Sequence, residues 1–225
     1  MKTLVAPILV LLGFVIAIAV ADENESKPTS APVSAEAESV DAKSSSTASA
    51  RASKPAPIAR TGPKKRFPVR IDHGERKLHI NGWGLCEWGI FGVDLYYCAL
   101  HVESKSKSAS VLLKQDQAYN IHLDFARDLT RKQMQKAYRT SIEVNTGKDI
   151  KKYRDRLAKL LAVMPAVEEG DDLHFRYLPE AGMTVLLNGK SLVTIPGADW
   201  GNLFLRLYVG SKPPTKDLRK GLLGS

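Results

Sequence analysis

The stretch LHFRYLPEAGMTVLLNGKSLVTI, residues 173–195, decides the fold. Short runs rich in apolar residues are separated here by two turn signals, Glu180-Ala181-Gly182 and Asn188-Gly189. Asn-Gly is the preferred dipeptide of a tight hairpin turn. The pattern therefore predicts consecutive strands in hairpin order, which is an antiparallel arrangement. A doubly wound parallel sheet is excluded, because it needs strands that alternate with helices throughout.

Helices are predicted on both sides of this hairpin region. Thr130 and Gln133 have the spacing of a capping box. The helix that they open places Met134, Tyr138 and Ser141 on one inward stripe. Further helices are expected over residues 149–164, over residues 198–209 and from about residue 215. The predicted fold class is α+β: an open-faced β-sandwich, with an antiparallel sheet and a helical layer on one face.

The remaining strands are predicted upstream. Residues 119–125, YNIHLDF, alternate between apolar and polar side chains. Residues 77–82 predict another strand, and a glycine-punctuated, aromatic segment follows it as far as residue 102. Over residues 95–102 both faces carry apolar side chains: Leu95, Tyr97, Ala99 and His101 on one, and Tyr96, Cys98, Leu100 and Val102 on the other. This predicts a central strand that is covered on both sides.

The two cysteines, Cys86 and Cys98, flank a hairpin predicted near Phe91-Gly92. A disulfide between them stays open and would need Cα atoms within about 7 Å. A pair of separate buried thiols is the preferred interpretation. The five histidines lack the spacing of a metal-binding motif, although two of them could meet across neighbouring strands. We therefore predict no metal site and no cofactor.

The first 66 residues have no globular pattern. A positive start, the apolar run of residues 4–20 and the small residues Ala19 and Ala21 give the order of a cleaved secretory signal. We expect a signal peptide over 1–21, no transmembrane span after cleavage, and a periplasmic or otherwise exported protein. Residues 22–66 are rich in Ala, Ser, Pro and Lys and predict a disordered linker, which leaves a domain over 67–225.

The chain carries a formal net charge of +9 and has a pI near 9.5. Such a positive charge favours binding to the phosphates of nucleic acid. The predicted export and the lack of a recognition motif argue against a nucleic-acid partner. A loose association with an anionic membrane surface is the next alternative. A solvated basic surface is the preferred explanation.

Several motifs resemble successive segments of one known family. They are LHINGWGL at residues 78–85, FARD at 125–128, VLLNGK at 185–190, IPGADW at 195–200 and YVGSKPP at 208–214. In this order they are similar to the exported bacterial chalcone isomerase-like domain, over roughly residues 67–224. The resemblance implies a ligand cleft between the sheet and the helices. Relatives use that cleft either to close a flavanone ring or to hold a fatty acid without turnover.

The resemblance also implies candidate ligand-binding residues. Cys86 stands where the family has an arginine, and Tyr96 stands where it has a threonine. Met134 and Ser141 take the places of a tyrosine and an asparagine on the helix, and Tyr138 lies on the same stripe. Arg127, at the end of a strand, is the remaining candidate for meeting an anionic ligand.

The loss of the arginine guides the functional prediction, because a thiol cannot replace the fixed donors of a guanidinium. We therefore expect an exported, non-catalytic domain that binds a small apolar or acyl-type ligand. Two alternatives stay open, and no catalytic residue is assigned for either. One is an isomerase (intramolecular lyase) acting on an enone or flavonoid-like substrate with altered residues. The other is an interaction or structural protein of the cell envelope.

Overall fold

The computed structural model describes residues 67–89 and 92–225. Seven strands form one sheet in chain order, each antiparallel to the next. They are β1 (Arg70–His73), β2 (Arg76–Trp88), β3 (Val93–Val102), β4 (Tyr119–Phe125), β5 (Asp172–Leu178), β6 (Gly182–Leu187) and β7 (Lys190–Ile195). The predicted α+β fold with hairpin order is confirmed. The predicted signal peptide and linker lie outside the described residues.

Helices cover one face of this sheet, which we call the inner face. They are α1 (Ala109–Lys114), α2 (Arg131–Thr146), α3 (Ile150–Val163), α4 (Ala198–Val209) and α5 (Lys216–Leu222), with a 3-10 turn at Gly147–Asp149. The predicted capping box is present at the start of α2, where Thr130 Oγ1 accepts from Gln133 N and Gln133 Oε1 accepts from Thr130 N. Within the described residues, no helix combines the length and the hydropathy that a membrane crossing needs.

Helix α4 is the centre of the helical layer. Trp200 and Phe204 are fully buried against the sheet. The hydroxyl of Tyr119 on β4 donates to the Gly201 carbonyl over 2.7 Å, which ties the helix to the sheet. Gly201 has no side chain because a Cβ there would overlap the ring of Tyr177. The close approach of α4 to β4 and β5 thus depends on a glycine.

Strand β2 is a single strand of 13 residues rather than a short strand followed by a broken segment. Its glycines do not end it; they make room for α5. A Cβ on Gly82 would meet backbone atoms of Leu222, and a Cβ on Gly84 would lie 3.2 Å from Leu218 Cα. The Asn81 amide donates to the Leu222 carbonyl over 2.8 Å, so it fastens α5 to the strand.

The pairing of β2 with β3 contains two irregularities in register. At one, Ile80 pairs with His101 and Gly82 with Leu100, so Asn81 is an extra residue. At the other, Cys86 pairs with Tyr96 and Glu87 with Asp94, so Leu95 is extra. A β-bulge of this kind re-aims the side chains around it.

The bulge at Leu95 corrects one sequence prediction. Strict alternation placed Leu95 on the face of Tyr97, whereas the structure packs it into the inner core with Cys98. Tyr97 and Ala99 lie on the opposite, outer face, where they form a small second cluster with Phe67. The central strand is therefore covered on both sides, as its apolar pattern indicated. Cys86 and Cys98 are buried free thiols, so no disulfide forms between them.

Candidate functional site

A cavity of about 530 Å³ lies between the inner face of the sheet and the helices. This volume falls in the usual range of small-molecule sites, about 300 to 1,000 Å³. Strands β2, β3 and β4 form one wall, and α2, α4 and the segment before α5 form the other. The lining residues are Cys86, Glu87, Trp88, Gly89, Leu95, Tyr96, Leu123, Phe125, Leu129, Met134, Ala137, Tyr138, Ser141, Leu207, Tyr208, Pro214 and Thr215.

The Leu95 bulge shapes the strand wall of the cavity. The extra residue lets Leu95 and Tyr96, which are adjacent in sequence, both line the cavity. Directly opposite Tyr96 on β2 is Cys86, and both side chains line the cavity. Burial raises the pKa of the Cys86 thiol to about 11, so this thiol is neutral at pH 7 and is not an activated nucleophile.

Two tyrosines form a second polar pair on the helical wall. Tyr138 on α2 and Tyr208 on α4 have their hydroxyl oxygens 3.1 Å apart, and either can donate. Burial raises the pKa of both phenols, so each keeps its hydrogen. Tyr138 also contributes, after burial and the two cysteines, to the raised pKa of Tyr96. Neutral hydroxyl and thiol groups are therefore the polar groups in the depth of this cavity.

The cavity contains no positive side chain among its described lining residues. Lys, Arg and His are absent from that part of its wall, and the one carboxylate, Glu87, belongs to an exposed residue. An ionised group that enters such a site loses its hydration and gains no opposite charge, which costs several kcal/mol. Hydroxyl groups can still bond a neutral oxygen of a ligand. The arrangement favours an uncharged ligand.

All but one of the residues predicted from the sequence lie on this cavity. Cys86 and Tyr96 are on the strand wall, and Met134, Tyr138 and Ser141 are on α2. Arg127 is exposed and is not among the lining residues. Whether any of them contacts a ligand stays a prediction.

Sequence analysis missed Tyr208 on α4. The residue lies one turn after Phe204 on the buried stripe of that helix, so the helical period could have placed it inside. The period could not show that its hydroxyl would meet Tyr138. That contact depends on how α4 packs against α2.

A separate polar cluster lies on the outer face, across β4 and β5. His122 and His174 are paired in register, and their rings stack with centroids 4.0 Å apart. His122 Nε2 lies 2.6 Å from Asp172 Oδ1. Burial, then His122 and Arg176, lower the pKa of His174 to about 3, so its ring is neutral at pH 7. Sequence analysis allowed for such a meeting of two histidines but did not predict which pair.

An antiparallel meander covered by helices on one face, with a cavity between the two layers, is an open-faced β-sandwich. A family model described as chalcone isomerase-like matches residues 61–224. The chain therefore belongs to the chalcone isomerase-like family.

Among solved structures, the chain is similar to a fatty-acid binding protein of Arabidopsis thaliana. The TM-score is 0.59 at 16% identity, over 70% of this chain and 90% of that one. At that identity the likeness concerns the fold. A comparison with curated protein sequences found no match.

Proposed function

We propose that this domain binds a small, uncharged apolar or acyl-type ligand in the inner cavity and catalyses no ring closure. The observation that carries the proposal is the composition of the cavity wall. Its described residues are apolar apart from neutral hydroxyl and thiol groups, the indole N–H of Trp88 and the exposed Glu87. The ligand's chain would pack against Leu123, Phe125 and Met134. A carbonyl or hydroxyl oxygen would accept a hydrogen bond from the tyrosine hydroxyls.

The Arabidopsis relative is named a fatty-acid binding protein, which supports an acyl chain as the apolar part. A free carboxylate is less suited to this cavity, because Cys86 stands where the resemblance puts the family's arginine. A fatty acid would have to leave its headgroup at the mouth, or enter as the protonated acid. An ester, alcohol or other neutral derivative would enter without that cost.

The isomerase alternative is disfavoured by the same residues. Ring closure develops negative charge on oxygen, and positioned donors or cations supply most of the stabilisation. The Cys86 thiol is a weak donor, and its pKa of about 11 keeps it from becoming a thiolate at neutral pH. The hydroxyls of tyrosine, Ser141 and Thr215 and the indole N–H of Trp88 are the other side-chain donors among the described lining residues, and none of them is a cation. Turnover of an enone by the purified chain would contradict this part of the proposal.

The setting of this function is also a proposal. Residues 1–21 have the order of a secretory signal, so we propose that the domain works after export. The basic surface could hold it loosely near anionic lipid. The envelope interaction alternative would make that surface the functional part and leave the cavity without a ligand.

The test begins with native mass spectrometry of gently purified protein, which should detect a co-purifying apolar molecule. After delipidation, a fatty acid and its methyl ester of the same chain length are compared by thermal unfolding. A ligand at 100 times its Kd stabilises by about 2.7 kcal/mol, which is a shift of several degrees for a domain of this size. We expect the ester to shift the melting temperature more than the acid does at pH 7.

Three variants, one of them a control, make the test specific. Ala137→Trp puts an indole into the cavity from α2 and should abolish the shift. Lys136→Trp, at the adjacent exposed position, is the matched control and should keep it. Cys86→Arg restores a cation and should reverse the preference towards the acid. If neither ligand shifts the wild-type protein, or if Ala137→Trp binds normally, the proposal is wrong.

A further inference from the structure

We propose that His122, Asp172 and His174 on the outer face form a binding site for a divalent transition metal ion, of the Zn²⁺ or Co²⁺ type. One ligand atom from each residue lies within 4.8 Å of the other two. The site is on the opposite side of the sheet from the cavity, so it is independent of the ligand proposed above. Two imidazoles and one carboxylate are a donor set that such ions accept.

The sheet holds the donors before any ion arrives. His122 and His174 are directly opposite each other on β4 and β5, and their side chains leave the sheet on the same side. Asp172 is two residues before His174 on the same strand, so its side chain lies on that face too. The backbone ladder therefore fixes the spacing of all three residues.

A neighbouring amide sets the tautomer of His174. His174 Nδ1 lies 3.2 Å from Asn120 Oδ1, and an amide oxygen can only accept, so Nδ1 carries the hydrogen. The lone pair is then on Nε2 and is available to a metal. Metal-binding histidines commonly donate their other ring N–H to an oxygen acceptor in this way. Asn120 is fully buried, which keeps the acceptor in place.

Movements of up to about 1.5 Å would complete the coordination geometry, because the three donor atoms lie within 4.8 Å of one another and tetrahedral ligands of zinc lie about 3.3 Å apart. His122 Nε2 and Asp172 Oδ1 are 2.6 Å apart, with a hydrogen between them. Tetrahedral donors about 2.0 to 2.1 Å from zinc lie about 3.3 Å from each other, so an ion that replaces this hydrogen spreads the pair by less than 1 Å. The Asp172 side chain is 47% exposed, so water can supply the remaining ligand.

The charges around the site select the class of ion. Asp124 lies directly opposite Asp172 in register, and like charges in that position repel each other, which a cation offsets. The positive charge of Arg176 lies close enough to His174 to act on it electrostatically. It therefore weakens the binding of any cation that is attracted only by charge. Binding then depends on the bonds to imidazole nitrogen, which zinc and cobalt form readily and magnesium and calcium do not.

The experiment uses the full chain without an affinity tag, after treatment with a chelator. Calorimetric titration with Zn²⁺ should show one saturable site per chain, and Mg²⁺ should not compete. Co²⁺ should give visible d–d absorption that Zn²⁺ removes. Zinc binding by residues 1–66 should be weak, because all five histidines of the chain lie in the described domain. Both cysteines are buried and should not compete for the ion.

Variants identify the ligands. His174→Ala and, as a second variant at a half-exposed position, Asp172→Asn should each weaken zinc binding at least tenfold. Asn120→Ala should weaken it about 10- to 100-fold by releasing His174. His79→Ala, at an exposed position on β2, is the matched control and should bind as the wild type does. Urea midpoints of the metal-free proteins check folding. The proposal is overturned if wild-type protein has no saturable site, or if His174→Ala and Asp172→Asn both bind normally.

Discussion

The hydroxyl pair of Tyr138 and Tyr208 gives a prediction about the cavity that needs no knowledge of the ligand. The two oxygens are 3.1 Å apart, and each residue is less than a tenth exposed. Tyr138→Phe removes a neutral hydrogen bond, with a net value of about 1 kcal/mol. It also leaves Tyr208 without this partner, for which the desolvation penalty is about 1 to 3 kcal/mol. Water in the adjoining cavity reduces that penalty, so we expect about 1 to 2 kcal/mol for each single variant.

The double variant Tyr138→Phe/Tyr208→Phe distinguishes a coupled pair from two separate hydroxyls. It removes both hydroxyls, so neither is left buried without its hydrogen-bond partner. Its loss in unfolding free energy should therefore be about 1 kcal/mol smaller than the sum of the two single losses. Urea unfolding, followed by circular dichroism, measures the whole cycle.

Tyr153→Phe is the matched control. Tyr153 is buried beside Trp200, and its hydroxyl has no hydrogen bond to another residue in the part of the chain that the structure describes. Its loss should stay within about 0.5 kcal/mol. Additive losses at Tyr138 and Tyr208, to within about 0.3 kcal/mol, would refute the reasoning, because independent sites add to that precision.

Two further predictions concern the packing and charge of the domain. Gly221→Ala should cost about 1 to 3 kcal/mol of unfolding free energy, since its Cβ would lie 2.9 Å from Gly84 Cα. Lys220→Ala on the same helix is the control. Equal urea midpoints for the two variants would contradict the prediction. Arg156, then Lys152, hold the pKa of Asp199 well below its usual range. That stabilisation is fully present above about pH 4 and declines only as the pH falls from there towards the lowered pKa, so Asp199→Asn should lower the urea midpoint at pH 7 and lower it by a smaller amount at pH 3.

The parts of the fold that could be predicted are those with local signals. Alternation in residues 119–125 and the Asn188-Gly189 turn needed only neighbouring residues, and so did the capping box at Thr130. The bulge at Leu95 could not be seen, because an extra residue in one strand is defined by its partner strand. Gly82 and Gly84 suggested that the strand is interrupted there, because their role cannot be inferred from neighbouring residues either. The helix for which they make room lies more than 130 residues later in the chain.

The candidate site also has parts that local sequence predicts and parts that depend on tertiary packing. The stripe on α2 could be read from the helical period, and it includes Met134, Tyr138 and Ser141. The hydroxyl pair could not, because it needs the packing of α2 against α4. The meeting of His122 with His174 depends on the register of two strands that α2 and α3 separate in sequence. Spacing along the chain, which is the usual signal of a metal motif, carries no information about it.

Strand β4 shows how one register supports both proposed sites. Its odd-numbered residues Leu123 and Phe125 line the cavity, and its even-numbered residues Asn120 and His122 belong to the outer-face cluster. A slip of one residue would exchange the two sets, putting histidine into the apolar cavity and leucine and phenylalanine among the polar side chains of the outer face. Each face therefore stabilises the alignment on which the other depends. Burial of Leu123 and Phe125 on the inner face thus sets the strand register that positions the histidines on the outer face.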